Sequence, residues 1–120
     1  MTPRGVYQSK RRAKQLLLFD GLKWGNITPT DVDMVIEFKN ATWVLCEVKF
    51  NGRTVGLGQR LLMERFVEDM SRAGKTAIAI VSDHYIEDCE TDVDVKQTTV
   101  REFYSTTDPI WKRTKNPTTL

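Results

Sequence analysis

Alternating apolar and polar residues between positions 32 and 50 predict two strands that lie side by side. Residues 32–38 (VDMVIEF) carry apolar side chains at every even position, and residues 43–50 (WVLCEVKF) keep the same alternation. Only a short KNAT segment separates the two runs. Alternating runs joined by so short a turn predict an antiparallel β-hairpin.

The segment after the hairpin predicts a helix and then a buried strand. Residues 57–73 have helical periodicity. The residues predicted to face the core are Leu62, Phe66, Met70 and Ala73. Gly74 suits the position just beyond the end of a helix, and the apolar run 76–82 is typical of a strand buried on both faces. Strand, helix and strand in this order predict a β-α-β crossover.

The two ends of the chain are less regular. Residues 9–18 predict a helix that begins after Ser9. Residues 83–94 predict an acidic loop, 95–105 a strand near an edge, and 109–120 an irregular tail.

Length and composition predict a single domain that spans residues 1–120. This length is close to the common size of one domain, and 40% hydrophobic residues are typical of a globular chain. We expect an α/β fold with a mixed β-sheet flanked by helices. No apolar run approaches the roughly 20 residues of a membrane span, and the N-terminus lacks the apolar stretch of a signal peptide. The chain is therefore expected to be cytoplasmic, without a membrane partner.

Charge is unevenly distributed, although the net charge is only +2. Residues 1–25 are predominantly basic, whereas residues 83–94 contain no Lys or Arg. Such segregation points to a polyanionic partner on the basic segment, and a solvated basic helix face explains it equally well.

The hairpin brings three ionisable residues together. Matching the apolar faces of its strands requires pairs whose numbers add up to an even value. One such register sets Asp33 opposite Glu47, and the other sets it opposite Lys49. In either register the three side chains share one face as near neighbours.

Two carboxylates this close repel each other unless a cation lies between them. Mg²⁺ prefers oxygen ligands of this kind, and a lysine beside it can orient a water or stabilise negative charge on phosphorus. These groups suffice for metal-assisted phosphodiester hydrolysis. The alternative is a solvent-exposed salt-bridge patch, which contributes about 0–1 kcal/mol to stability.

The order PTDVDMVIEF, turn, WVLCEVKF and then GLGQR at the start of a helix resembles the PD-(D/E)XK phosphodiesterase superfamily. It is most similar to small phage-encoded nucleases and resolvase-like proteins. The resemblance covers residues 9–82, which it implies form an α-β-β-α-β core, and fades in residues 83–120. Asp33 matches the first acid of the family pattern, with Asp31 as the competing candidate. Glu47 matches the second acid and Lys49 the lysine.

The resemblance implies a mechanism and a set of ligands. Asp33, Glu47 and the backbone carbonyl of Val48 would bind one or two Mg²⁺ or Mn²⁺ ions. Lys49 would position the attacking water, and Gln59 would contact the site from the head of the helix. The family's usual products carry a 5′-phosphate and a 3′-hydroxyl.

The resemblance also implies DNA as the partner. The residues expected to hold its backbone without sequence specificity are Lys10, Arg11, Arg12, Lys14, Arg53 and Arg60. The first predicted helix lacks the metal-binding glutamate of many relatives, and Met63 follows Gln59 where exonuclease branches have tyrosine. A dimer that cuts branched DNA is expected by analogy with resolvases. The alternatives are an inactive nucleic-acid-binding protein of this fold and a small phage interaction protein.

Overall fold

The computed structural model describes residues 15–116 and 118–120 of the chain. Its elements in chain order are β1 (Met34–Phe38), β2 (Thr42–Phe50), α1 (Leu57–Arg72), β3 (Thr76–His84), a 3-10 turn (Val95–Gln97), β4 (Thr99–Ser105) and β5 (Asp108–Arg113). The strands form one sheet in the order β1-β2-β3-β4-β5. Among these five described strands, only β2 and β3 run parallel. The predicted α/β fold with a mixed sheet is confirmed.

The β1–β2 hairpin adopts one of the two predicted registers. Its pairs run from Met34 with Cys46 to Phe38 with Thr42. Continuing the register by one residue places Asp33 opposite Glu47. The chain reverses through Lys39 and Asn40, whose φ angles are 51° and 54°. Asparagine is among the residues that tolerate this left-handed conformation best.

The parallel pair β2 and β3 is connected through α1. The helix ends as predicted at a glycine, because Gly74 has a φ of 82°. The N–H groups of Gly74 and Lys75 donate to the carbonyls of Ser71 and Met70, both at 2.9 Å. A side chain at position 74 would be strained in this conformation.

The C-terminal third differs from the prediction in three ways. β3 extends to His84, so Asp83 lies in a strand and not in the acidic loop. β4 lies near an edge as predicted, next to the edge strand β5, but it begins at Thr99 because Val95–Gln97 form a 3-10 turn. The tail is not irregular throughout, because β5 pairs antiparallel with β4. Pro109 obscured this strand, yet an edge strand tolerates proline because one of its sides has no partner.

The core lies between α1 and one face of the sheet. Leu45, Ala79 and Val81 pack with Met63 and Val67, and all five are buried. Of the predicted helix face, Phe66 and Met70 pack against this core, whereas Leu62 is 38% exposed and Ala73 is exposed. The strands carry apolar residues on both faces, so alternation alone did not identify the face that the helix covers.

The predicted helix over residues 9–18 is wrong for its last part. Residues 15–18 are not helical, and Leu16 to Leu18 are exposed. Residues 9–14 lie outside the described residues. In the part of the chain that the structure describes, no helix has the length and apolarity needed to cross a membrane.

Tyr104 in β4 links the sheet to α1 through a side-chain hydrogen bond. Its buried hydroxyl donates to Glu68 Oε1 at 2.6 Å. This hydrogen bond, together with burial, raises the pKa of Tyr104 to about 12.

Replacing Tyr104 with Phe should therefore lower the free energy of unfolding at neutral pH by about 1.5–3 kcal/mol, the usual contribution of a hydrogen bond to a charged group. Urea titration measures this. The wild-type advantage should disappear as pH rises from about 10, the unfolded pKa of tyrosine, through the folded value. Tyr85→Phe, at an exposed position, is the control. Equal stability of Tyr104→Phe and wild type would contradict the prediction.

Candidate functional site

Asp33, Glu47 and Lys49 converge at the open end of the hairpin. Glu47 is only 4% exposed, although it is a carboxylate in a strand. Its Oε1 lies 3.4 Å from Lys49 Nζ. Asp33 precedes β1, and its Oδ2 accepts a hydrogen bond from the Val48 N–H at 2.8 Å. The structure thus brings together the three side chains that the sequence selected.

The surroundings of Glu47 disfavour its charge. Burial raises the pKa of Glu47, and the neighbouring Asp33 carboxylate raises it further. Lys49 lowers this pKa without cancelling the other effects. Glu47 Oε2 is buried and receives no hydrogen bond from the described residues. Such an oxygen is costly to maintain unless a ligand compensates it.

Gln59 contacts the same carboxylate from the first turn of α1. Its Nε2 donates to Glu47 Oε1 at 3.1 Å. Lys49 and Gln59 therefore both lie against Oε1, and the buried Oε2 is left without a donor among the described residues. The structure places Gln59 at the N-terminal end of α1, as predicted.

The oxygen atoms around Glu47 match a hard divalent cation. The N–H and C=O of one strand residue point to the same side, so the Val48 carbonyl is directed to the edge where Asp33 accepts the Val48 N–H. Two carboxylates and a carbonyl are ligands that Mg²⁺ accepts while it retains waters. Asp31 and Asp33 are both exposed, and the hydrogen bond that Asp33 accepts from the Val48 N–H favours Asp33 as the ligand. Among residues 15–116 and 118–120, no three His, Cys, Asp or Glu side chains cluster as a metal site.

Comparisons with protein families, curated proteins and solved structures find no match. The functional conclusion therefore depends on the geometry of the site itself.

The basic residues expected to bind DNA have different surroundings. Arg53 is exposed in the loop after β2, with its guanidinium 5.5 Å from the centre of the Phe50 ring. Arg60 forms an ion pair with Glu102 and lies 4.9 Å from the centre of the Trp111 ring. The charge of Arg60 is therefore already compensated within the fold. Lys10, Arg11, Arg12 and Lys14 lie outside the described residues.

Sequence reasoning missed two buried acids near the site. Glu102 in β4 pairs with Val81, which pairs with Glu47, so the two glutamates share one row and one face of the sheet. Asp83 lies beside Lys49 in the next row. Asp83 follows Ala77, Ala79 and Val81 at the next odd position of β3. This alternation of side chains along the strand was the signal that could have placed Asp83 in the strand.

Proposed function

We propose that this protein is a metal-dependent DNA endonuclease of the PD-(D/E)XK type. The observation that supports it best is Glu47, a buried carboxylate beside Asp33 and Lys49 with one oxygen that no donor of the described residues reaches. A surface salt-bridge patch would leave this carboxylate hydrated. A cation site explains why the fold keeps a charge where burial and a second acid disfavour it.

In this proposal Asp33, Glu47 and the Val48 carbonyl hold Mg²⁺ or Mn²⁺. When bound, such an ion supplies a Lewis acid for a phosphoryl oxygen and lowers the pKa of a bound water. The donor set of two carboxylates and one carbonyl fits this ion because it contains only oxygen.

The other polar residues orient the reacting groups. The Lys49 side chain is 22% exposed, so its ammonium can reach a phosphate or a water at the surface while it stays beside Glu47. Gln59 holds Glu47 Oε1 and so keeps Oε2 directed at the ligand. Arg53 and the basic N-terminal residues would bind the DNA backbone without sequence specificity. We further propose that the protein acts as a dimer that is selective for branched DNA, since two nicks require two sites.

The direct test is cleavage of supercoiled plasmid and of a synthetic four-way DNA junction. Wild-type protein should nick both substrates with Mg²⁺ and neither with EDTA. Glu47→Ala should abolish cleavage, whereas Glu87→Ala, at an exposed acid of the loop after β3, should cleave as wild type does. Religation of nicked plasmid by DNA ligase tests for the expected 5′-phosphate and 3′-hydroxyl.

Two results would overturn the proposal in different directions. Salt-sensitive DNA binding without cleavage in Mg²⁺ or Mn²⁺ identifies an inactive nucleic-acid-binding protein. The absence of any DNA affinity at low salt identifies a protein with another kind of partner.

A further inference from the structure

A second buried ion pair lies next to the proposed site. Arg101 donates from Nε to Asp83 Oδ2 at 2.9 Å and from Nη2 to Asp83 Oδ1 at 2.5 Å. The side chains are 12% and 6% exposed. Asp83 pairs in the sheet with Lys49, so the ion pair borders the proposed site without belonging to its ligand set.

The ion pair also holds the loop that connects β2 to α1. Asp83 Oδ1 accepts a hydrogen bond from the Gly52 N–H at 3.2 Å. Arg101 Nη2 donates to the Arg53 carbonyl oxygen at 2.8 Å. The turn itself is tight, because Asn51 and Gly52 have φ angles of 49° and 75°. Two consecutive residues of this loop are therefore tied to β3 and β4.

A local irregularity in the sheet directs Arg101 towards this loop. Val81 pairs with Glu102, whereas the next residue, Ser82, pairs with Val100. The pairing skips Arg101, which is the extra residue of a β-bulge. Bulges of this kind re-aim a side chain and are frequent next to active sites.

Stability alone is a weak reason for such a pair. Buried ion pairs gain little over apolar residues of the same size, because desolvation of both charges offsets their attraction. The hydrogen bonds to Gly52 and Arg53, in contrast, could not be made by apolar side chains. The loop that these hydrogen bonds hold contains Arg53, an exposed arginine four positions after Lys49.

We propose that Asp83 and Arg101 are positioning residues, which hold the β2–α1 loop so that Arg53 meets a DNA phosphate next to Lys49. This inference rests on the proposed function. Ordering a flexible loop on binding costs conformational entropy and weakens the contact. A loop that is already held in place loses less of this entropy when Arg53 binds a phosphate.

The test uses the double variant Asp83→Leu/Arg101→Met, which removes the pair without leaving an unpaired buried charge. Its matched control is Asp69→Leu/Arg72→Met, which removes the exposed ion pair at the far end of α1. Both variants keep the net charge of the wild type. The Kd for a four-way DNA junction is measured with Ca²⁺ in place of Mg²⁺ over a series of salt concentrations, and melting temperatures are recorded in parallel.

The double variant should bind the junction about fivefold more weakly, as expected for one lost surface ion pair. The slope of log K against log salt should fall by about 0.9, which corresponds to one phosphate contact. Arg53→Ala alone should cause the same two changes, and adding it to the double variant should cause none beyond them. The control should bind as wild type does.

Arg101→Lys provides a second variant, in case the double variant does not fold. It keeps a positive charge against Asp83, but an ammonium cannot match the three hydrogen bonds of the guanidinium. It should give the same loss of affinity.

Several outcomes separate this inference from the proposed function. Wild-type affinity in the folded double variant, or an additive effect of Arg53→Ala, overturns the positioning role and leaves the nuclease proposal intact. A wild-type protein that does not bind DNA overturns the proposed function and the role of Arg53 with it. Hydrogen exchange then tests the tether itself: faster exchange at the Gly52 amide in the double variant supports it, and unchanged exchange overturns it.

Discussion

Glu47→Gln should make the metal-free protein more stable and at the same time abolish its proposed activity. Glutamine keeps the shape of the side chain and a hydrogen bond with Gln59 while it removes the buried charge that Asp33 repels. Substitutions that relieve such functional strain commonly add about 0.5–2 kcal/mol to the free energy of unfolding. Urea titration of the metal-free protein measures the gain, with Glu87→Gln as the exposed control.

The gain in stability should depend on pH in a defined direction. The pKa of Glu47 is raised in the folded state, so folding favours its protonated form. The stability that follows is fully present below the unfolded pKa of about 4.3 and is lost as pH rises through the folded pKa. Glu47→Gln should therefore equal wild type in acid and exceed it at neutral pH. A variant less stable than wild type at neutral pH would contradict the unfavourable environment assigned to Glu47.

Cleavage should respond to the same substitution in the opposite way. Loss of a ligand removes several kcal/mol of transition-state stabilisation, which corresponds to at least about a thousandfold in rate. Added Mg²⁺ should raise the melting temperature of wild type but not that of Glu47→Gln, because only a protein that binds the ion gains stability from it. Normal cleavage by this variant would exclude Glu47 from the mechanism.

Lys49→Met should have the second-largest effect, which should fall on turnover and not on DNA binding. Loss of a preorganised positive group beside the reacting phosphate costs about 10²–10³ in rate. The Kd for DNA should change by less than about fivefold, since one partly exposed charge contributes little to affinity. Single-turnover cleavage and binding with Ca²⁺ measure the two quantities separately.

The pH profile gives Lys49→Met a further signature. Lys49 lowers the pKa of Glu47, so its removal should move the acid limb of the rate profile to higher pH. Lys39→Met, at the exposed turn of the hairpin, is the matched control and should resemble wild type. An equal loss of binding and turnover in Lys49→Met would mean that Lys49 serves as a DNA contact only.

The sequence predicted the part of the site that depends on parity and a short turn. Because β1 and β2 both carry apolar residues at even positions, only registers that join Asp33 with Glu47 or Lys49 were compatible with the hairpin. The structure adopts the first of them. The end of α1 was predictable for a similarly local reason, since Gly74 takes the left-handed conformation that other residues avoid.

The rest depended on information that a local pattern does not contain. β2 carries apolar residues on both faces, so packing of the whole sheet decides which face α1 covers. Asp83 was assigned to a loop because acidic residues follow it, yet Arg101 compensates its charge from a strand eighteen positions later. Such a pairing between distant residues becomes visible only once the register of β3 and β4 is known.

Anomalous diffraction from crystals soaked in Mn²⁺ can locate the divalent cation that we propose lies between Asp33 and Glu47. We expect an anomalous peak within coordination distance of an oxygen from each carboxylate and of the Val48 carbonyl oxygen, since hard divalent ions prefer such ligands. The same peak should be missing in Glu47→Gln crystals. A wild-type crystal at saturating Mn²⁺ with no peak between these carboxylates, or with one only at the exposed acids of residues 87–94, would show that Asp33 and Glu47 do not bind the ion.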